Sequence, residues 1–258
     1  MEKKLYLERN NIKIPAILNM PDNLKSFVLL CHGTGSEKNE VGNMFKTLAL
    51  KLAEKGIGSI RVDFAGCGER IDNDEKVTFM GQVYDMKVAY DYVCEFLEKD
   101  KIGILGFSQG ARIMAEFIRL VKDLKFAISW SGACLDNIGH FQSWFDELYD
   151  DAKKDGYAYL ELGFRKPLCY SIDWFEEVKT TTPLTSLSEF NGPILAVSGT
   201  NDDLIPYKHA NEIINVSKHS LSKAIIVENA DHIYNILSDD PKADFVIDST
   251  IEWLESIL

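Results

Sequence analysis

Residues 102–120 read I-G-I-L-G-F-S-Q-G-A-R-I-M-A-E-F-I-R-L and change from a strand pattern to a helix pattern at Ser108. The apolar run before the serine is short and continuous, as in a buried strand, whereas the residues after it repeat their apolar positions at helical spacing. Gly106 and Gly110 stand two residues on either side of the serine. A tight strand-to-helix turn forces an unfavourable backbone angle at its tip, and small neighbours leave the space that this turn needs. The stretch therefore predicts a strand, a sharp turn and a helix, with Ser108 at the tip.

Strand-like and helix-like segments alternate on both sides of this turn. Short apolar runs predict strands at 12–18, 27–31, 57–62, 102–106, 125–130, 193–198 and 223–227. Helical spacing predicts helices at 41–55, 78–98, 109–121, 207–217 and from Pro241 to Leu258. The first 25 residues lack a helix and predict antiparallel edge strands. The alternation elsewhere predicts an α/β fold with a mostly parallel central sheet that is flanked by helices on both faces.

Residues 134–188 break the alternation and carry many aromatic side chains. We interpret this segment as an insertion, helical in part and folded over the sheet edge, within a core of residues 1–133 and 189–258. Its aromatic residues could fill a small core of their own or line a ligand pocket. They are Phe141, Trp144, Phe145, Tyr149, Tyr157, Tyr159, Phe164, Tyr170, Trp174 and Phe175.

Composition narrows the functional classes. The 258 residues carry a formal net charge of −12, which disfavours nucleic acid and anionic membranes as partners, since both attract basic surfaces. No apolar run has the roughly 20 residues of a membrane span or forms a signal peptide. The five cysteines are widely spaced without a C-x-x-C pair, which is typical of reduced thiols. We therefore expect a cytoplasmic protein without a nucleic-acid or membrane partner, and no residues are spaced as ligands of a metal or other cofactor.

Ser108 is the candidate nucleophile. A serine hydroxyl becomes reactive when it is exposed, oriented and served by a base, and the N-terminus of the following helix would stabilise negative charge developing there. The alternative interpretation is a glycine-rich turn in which Ser108 only caps the helix.

His232 is the candidate base, because it follows the apolar run 223–227 through a short turn at the carboxyl end of the sheet. The other four histidines precede the required position or lie within or after a helix without a strand before them. The candidate acid follows the run 193–198, where both Asp202 and Asp203 are available. We prefer Asp202 as the partner of the histidine and expect the other aspartate to cap the helix near Pro206.

Two backbone amides are candidate donors to a developing oxyanion. One belongs to Gln109, directly after Ser108, and the other to Thr34, in the loop after the run 27–31. We expect His32 to brace this loop by hydrogen bonding and to take no part in proton transfer.

Four motifs occur in the order seen in the α/β-hydrolase superfamily, which the chain therefore resembles. They are H-G-T-G at 32–35, G-F-S-Q-G at 106–110, G-T-N-D-D-L-I-P at 199–206 and A-D-H at 230–232. The resemblance implies the α/β-hydrolase fold, with Ser108 as nucleophile, His232 as base and Asp202 as acid, and with Thr34 and Gln109 as oxyanion donors.

Residues 61–69, R-V-D-F-A-G-C-G-E, are similar to the R-x-D-x-x-G-x-G-x-S element of bacterial carboxylesterases in that superfamily. The chain is most similar to the cytosolic cinnamoyl and feruloyl esterases, in which the insertion forms a lid over the active site. Two departures stand out: Ala111 replaces the last glycine of G-x-S-Q-G-G, and Glu69-Arg70 follows where the element ends in serine.

These motifs together predict a serine esterase that acts through an acyl-enzyme on a small-molecule ester, with hydroxycinnamoyl esters implied by the resemblance. An acyl thioesterase, a small peptidase or an acyltransferase would use the same residues, and a non-catalytic binding protein on the same scaffold is the alternative outside enzymes. The sequence leaves open whether the chain forms a homodimer.

Overall fold

One eight-stranded sheet forms the centre of the molecule. The computed structural model describes residues 1–72 and 75–258. The strands of the sheet are β1 Glu2–Arg9, β2 Ile12–Asn19, β3 Ser26–Cys31, β4 Ile57–Val62, β5 Ile102–Phe107, β6 Ala127–Trp130, β9 Ile194–Gly199 and β10 Lys223–Val227, and β7 Tyr157–Leu160 pairs with β8 Leu168–Ser171 in a separate hairpin.

The strand order in the sheet is β1-β2-β4-β3-β5-β6-β9-β10. All pairs from β4 to β10 are parallel, whereas β1 pairs with β2 and β2 with β4 in antiparallel register. The predicted mostly parallel sheet and the antiparallel strands at one edge are confirmed. Parallel strands end at the same edge of a sheet, so the loops after β3, β5, β6, β9 and β10 meet at one edge.

The described parts of the chain contain eight α-helices. Their bounds are α1 Met44–Glu54, α2 Phe79–Cys94, α3 Gln109–Leu120, α4 Gln142–Asp155, α5 Ile172–Thr180, α6 Pro183–Glu189, α7 Lys208–Val216 and α8 Ala243–Ile257. The helix expected at 41–55 begins only at Met44, because Gly42 and Asn43 have left-handed φ angles of 57° and 61°, which an α-helix cannot continue. Gly56 ends this helix region as predicted, with a φ of 79°.

The core lies on both faces of the sheet. Alternate residues of β5 point to opposite sides, so that Ile104 packs in a cluster with Val83 of α2 and Leu105 in a second cluster with Leu48 of α1. This two-sided burial explains why β5 reads as a continuous apolar run in the sequence. No helix in the described ranges is long and apolar enough to cross a membrane.

Residues 134–188 contain α4, the hairpin β7–β8, α5 and all of α6 except its last residue. The helical part agrees with expectation, whereas the hairpin was not predicted, since its strands are only four residues long. It is attached to the core because Val77 donates its N–H to the carbonyl of Cys169 at 2.7 Å and accepts the N–H of Ser171 at 3.0 Å. Five of the aromatic rings are buried and fill a small core within the insertion: Phe141, Phe145, Tyr170, Trp174 and Phe175.

Arg112 of α3 fixes both ends of this insertion. Its guanidinium donates to the carbonyls of Leu135 (2.9 Å) and Asn137 at the start of the insertion, and to Val178 (3.4 Å) and the hydroxyl of Thr181 (2.5 Å) near its end. Arg112 is fully buried, and burial lowers its pKa to about 10. The insertion is therefore anchored to the helix that begins directly after Ser108.

Candidate active site

Ser108 occupies the tip of the turn between β5 and α3. Its φ and ψ are 54° and −120°, a strained conformation for a residue with a side chain. A Cβ on Gly106 would lie 2.3 Å from the carbonyl oxygen of Gly110, and one on Gly110 would lie 2.1 Å from the carbonyl oxygen of Cys31. The two glycines therefore allow backbone segments to approach closely. Gly106 lets the end of β5 contact the start of α3, and Gly110 lets the start of α3 contact the end of β3.

Three polar side chains from separate loops meet at the end of the sheet. Nε2 of His232 lies 3.0 Å from Oγ of Ser108, and Nδ1 of the same ring lies 2.8 Å from Oδ2 of Asp202. The Asp202 side chain is fully buried and that of His232 is 14% exposed. With a buried carboxylate at Nδ1, the tautomer that carries hydrogen on Nδ1 leaves Nε2 free to accept the serine proton.

The two neighbouring aspartates differ in their surroundings, and only the carboxylate of Asp202 lies within hydrogen-bond distance of His232. The second oxygen of Asp202 accepts the N–H groups of Leu204 at 2.9 Å and Ile205 at 2.8 Å, so this carboxylate is fixed from both sides. Asp203 is exposed, and no side chain caps α7, whose N-cap residue is Tyr207. The expected capping role of Asp203 is therefore wrong, because Asp202 itself makes the loop hydrogen bonds.

The loop that carries His232 is held by its own polar side chains. Oδ1 of Asp231 accepts the N–H groups of Ile233 (3.0 Å) and Asn235 (2.7 Å), and Oδ1 of Asn235 accepts the N–H of Asp231 at 2.8 Å. The side chain of Phe107 packs against the imidazole of His232, with ring centroids 5.3 Å apart. The loop and the end of β5 together limit the motion of this ring.

The loop 32–35 lies directly against Ser108. A Cβ on Gly33 would be 3.3 Å from Cβ of Ser108. The backbone N–H groups of Thr34 and Gln109 have no hydrogen-bond acceptor among the described residues, so both are available to a ligand. Oγ1 of Thr34 donates to Oε1 of Gln109 at 2.5 Å, and Nε2 of Gln109 donates to Oε1 of Gln82 at 2.8 Å.

His32 braces this loop, as expected. Its Nδ1 lies 2.8 Å from the carbonyl oxygen of Gly33, and its Nε2 accepts the N–H of Phe64 at 3.1 Å. These partners require a neutral ring with hydrogen on Nδ1. Burial lowers the pKa of His32, in agreement with that neutral state.

The residues 61–70 form a buried support under the loop, a role that was not predicted. Both oxygens of Asp63 are used: Oδ1 accepts the N–H of Lys38 at 2.8 Å, and Oδ2 lies 2.5 Å from Nζ of Lys38 and 3.0 Å from the N–H of Glu69. Gly68 has a φ of 52°, and a Cβ there would lie 2.2 Å from Asp63. Burial alone would lower the pKa of Lys38, but hydrogen bonds to Asp63 and Glu69 outweigh it and raise that pKa. Lys38 is therefore a structural cation.

Arg70, at the position of the final serine in R-x-D-x-x-G-x-G-x-S, belongs to the same buried support. Its guanidinium donates to the carbonyl of Asp63 at 3.0 Å and to Oδ2 of Asp85 at 2.6 Å, and it pairs with Glu75. Glu69 and Arg70 are therefore both part of the buried network around Asp63.

The hairpin of the insertion contacts the loop 32–35. Arg165 donates to the carbonyls of Gly35 at 3.0 Å and Gly66 at 2.5 Å. Leu162 lies so close to Gly35 that a Cβ on this glycine would be 2.3 Å from its side chain. The hydroxyl of Tyr170 donates to Oε1 of Gln109 at 3.4 Å, and burial raises the pKa of Tyr170, so this group stays protonated. No sequence signal linked these residues to the site.

The strand order, the strained serine and the nearby histidine and aspartate define an α/β-hydrolase fold. Solved structures with this fold match over nearly the whole chain. Est1E from Butyrivibrio proteoclasticus superposes with a TM-score of 0.76 at 18% identity and 98% coverage of both chains. The esterase EaEST from Exiguobacterium antarcticum gives 0.70 at 15% identity, covering 97% of this chain and 98% of its own. DcsB, solved in complex with its substrate analogue, gives 0.80 at 12% identity with both chains fully covered.

The chain belongs to the family described as Serine hydrolase (FSH1), whose profile matches residues 71–234. This segment contains Ser108, Asp202 and His232. A comparison with curated protein sequences found no significant match.

No group of three or more His, Cys, Asp or Glu side chains within residues 1–72 and 75–258 is arranged to hold a metal ion.

Proposed function

We propose that this serine hydrolase cleaves carboxylic esters through an acyl-enzyme, with Ser108 as nucleophile, His232 as base and Asp202 as acid. The observation that carries the proposal is the continuous hydrogen-bonded chain from Ser108 through His232 to Asp202, with distances of 3.0 and 2.8 Å. A serine in a strained turn with a histidine at hydrogen-bond distance is the arrangement that nucleophilic catalysis requires.

The reaction has two steps. His232 takes the proton of Ser108 as its hydroxyl attacks the ester carbonyl, and then gives that proton to the leaving alcohol. His232 then takes a proton from water, which attacks the acyl carbon, and returns it to Oγ of Ser108 as the bond between the acyl carbon and Oγ breaks and the acid leaves. The buried carboxylate of Asp202 holds the ring and stabilises the imidazolium formed in each step.

The backbone N–H groups of Thr34 and Gln109 serve as the oxyanion hole. Their support is that both lie beside Ser108 and neither has an acceptor among the described residues. Each such donor lowers the barrier by roughly 3 kcal/mol in comparable sites. The N-terminus of α3 adds partial positive charge at the same place.

We further propose hydroxycinnamoyl esters as the substrate class and residues 134–188 as the lid over the site. A structure of Est1E with bound ferulic acid has the same fold, with a TM-score of 0.75 at 18% identity. Additional support comes from the half-buried Trp144 of the insertion, which stacks on Tyr170 with centroids 6.1 Å apart, while Tyr170 itself contacts Gln109. An aromatic acyl group would therefore meet aromatic side chains next to the oxyanion hole.

A substrate panel with purified protein tests this proposal. Acetyl, butyryl and long-chain aryl esters, methyl esters of hydroxycinnamic acids, an acyl thioester and an aminoacyl anilide are compared by kcat/KM, with Ser108→Ala as the control. We expect ester turnover, the highest kcat/KM for hydroxycinnamoyl esters, and a loss of about four orders of magnitude or more in kcat for Ser108→Ala. A preference for the thioester or the anilide would contradict the ester class, and unchanged turnover by Ser108→Ala would contradict the mechanism.

A further inference from the structure

Ser131 has a backbone conformation that its residue type disfavours. It directly follows β6 and has a φ of 43°, in the left-handed region that costs a non-glycine residue about 1 kcal/mol or more. Glycine would adopt this conformation without that cost, and the next residue in the chain is in fact Gly132. A serine in this position indicates that its side chain has a use that offsets the strain.

The hydroxyl of Ser131 contacts the backbone of the proposed base. Oγ donates to the carbonyl oxygen of His232 at 3.0 Å, across 101 positions of sequence, and Ser131 is fully buried. Its own N–H donates to the carbonyl of Val197 in β9 at 2.8 Å. The same carbonyl accepts the hydroxyl of Tyr234, two residues after His232, at 3.0 Å. The loop of the base is thus attached to the ends of β6 and β9.

We propose that Ser131 is a positioning residue for His232, an inference that rests on the proposed esterase function. The left-handed turn at Ser131 aims its hydroxyl at the main chain of the base, and this hydrogen bond sets the height of the imidazole above the sheet. The ring can then reach Ser108 and Asp202 at the same time. Ser131 contacts the carbonyls of His232 and Val197 and lies beside the hydroxyl of Tyr234, and none of these is a reacting atom, so its effect on the reaction passes through the loop that carries His232.

Two variants distinguish the effect of the Ser131 hydroxyl on kcat from the effect of its backbone strain. Ser131→Gly removes the hydroxyl and relieves the backbone, whereas Ser131→Ala removes the hydroxyl and keeps the strain. If the hydroxyl positions the base, both variants lose about tenfold in kcat, the effect of one hydrogen bond, with KM within about twofold of wild type. The matched control is Ser59→Ala, at a fully buried serine of β4 whose hydroxyl has no hydrogen-bond partner among the described residues; it is expected to keep wild-type kcat.

A double-mutant cycle tests whether the effect passes through the histidine. We expect Ser131→Gly combined with His232→Ala to have the same residual rate as His232→Ala alone, because a positioning residue has nothing left to position. A further fall in the double variant would overturn the proposal, as would full kcat in Ser131→Gly. The thermal midpoint of each variant is measured alongside, so that a rate loss is compared between folded proteins.

This design distinguishes the two proposals. A wild-type protein that turns over no ester contradicts the esterase function itself. An active wild type with an unimpaired Ser131→Gly variant contradicts only the role of Ser131.

Discussion

The hydroxyl of Thr34 donates a 2.5 Å hydrogen bond to Oε1 of Gln109, so the two residues proposed as oxyanion donors are joined through their side chains. Gln109 is held in turn by Gln82 of α2. This connection fixes the distance between two loops that are 75 positions apart in sequence. Preorganised donors of this kind are the main source of electrostatic stabilisation in acyl transfer.

We predict that Thr34→Val lowers kcat by about tenfold while KM changes little, because the backbone N–H remains but its alignment with Gln109 is lost. Thr34→Ser keeps the hydroxyl and should restore most of the rate. Steady-state kinetics on the best ester of the panel measure both variants. Equal rates for the valine and serine variants would show that the hydroxyl does not align the donors.

Gly110→Ala is predicted to destabilise the fold by about 3 kcal/mol or more and to abolish activity, because the new methyl group would overlap the backbone of Cys31 and His32 at 2.1 and 2.7 Å. Gly156→Ala is the control, since Gly156 has a φ of 81° and open space around it; it should cost about 1 kcal/mol from backbone strain alone. Urea unfolding of both variants measures the difference. Similar losses at the two positions would contradict the close-approach explanation.

Asp202→Asn is predicted to lower kcat by about four orders of magnitude, because an amide at Nδ1 favours the wrong tautomer of His232. Asp203→Asn changes the neighbouring, exposed carboxylate and should leave kcat within about twofold of wild type. The pair is matched in charge, chemistry and position in the loop. A larger effect at Asp203 than at Asp202 would reverse the assignment of the acid.

The stability of the protein should fall on mild acidification partly because of His140. Burial, with the nearby His209 and Arg112, lowers the pKa of His140 to about 4, although Glu212 and Asp202 act in the opposite direction. At His140, the folded state therefore binds a proton less readily than the unfolded state. The contribution of this residue to the free energy of unfolding is fully present above pH 6.5 and is lost as the pH falls from there toward 4.

We expect this residue to account for about 1 kcal/mol of the loss in unfolding free energy between pH 7 and pH 5, after allowance for its partial exposure. His140→Phe keeps a ring against His209, whose centroid is 5.0 Å away, and removes the titration. Urea unfolding at the two pH values should give a smaller drop for this variant. Equal drops in the variant and the wild type would contradict the assignment.

The strands of the sheet and the proximity of Ser108, His232 and Asp202 were predictable because each has a local signal in the sequence. The turn around Ser108 is marked by its glycines and by the change of periodicity. His232 and Asp202 follow apolar strands at the required positions in the chain. Parallel strand geometry then brings these loops together without further information.

The parts that were not predictable depend on contacts between distant residues. Arg112 is an ordinary helix residue in sequence, and its role emerges only when Leu135 and Thr181 are placed beside it. Ser131 has no motif around it, and its contact with His232 spans 101 positions. At Gly42, Ile236 occupies the space that a side chain would need. Such long-range packing leaves no periodic pattern in the sequence.

Covalent labelling of Ser108 tests whether His232 activates this hydroxyl. The folded protein is incubated with a fluorophosphonate, and the adduct is located by peptide mass spectrometry in the wild type, Ser108→Ala and His232→Ala. We expect one stoichiometric adduct on Ser108 in the wild type, none in Ser108→Ala and labelling slowed by orders of magnitude in His232→Ala. An unlabelled Ser108 in folded wild-type protein, or equal labelling rates with and without His232, would contradict this expectation.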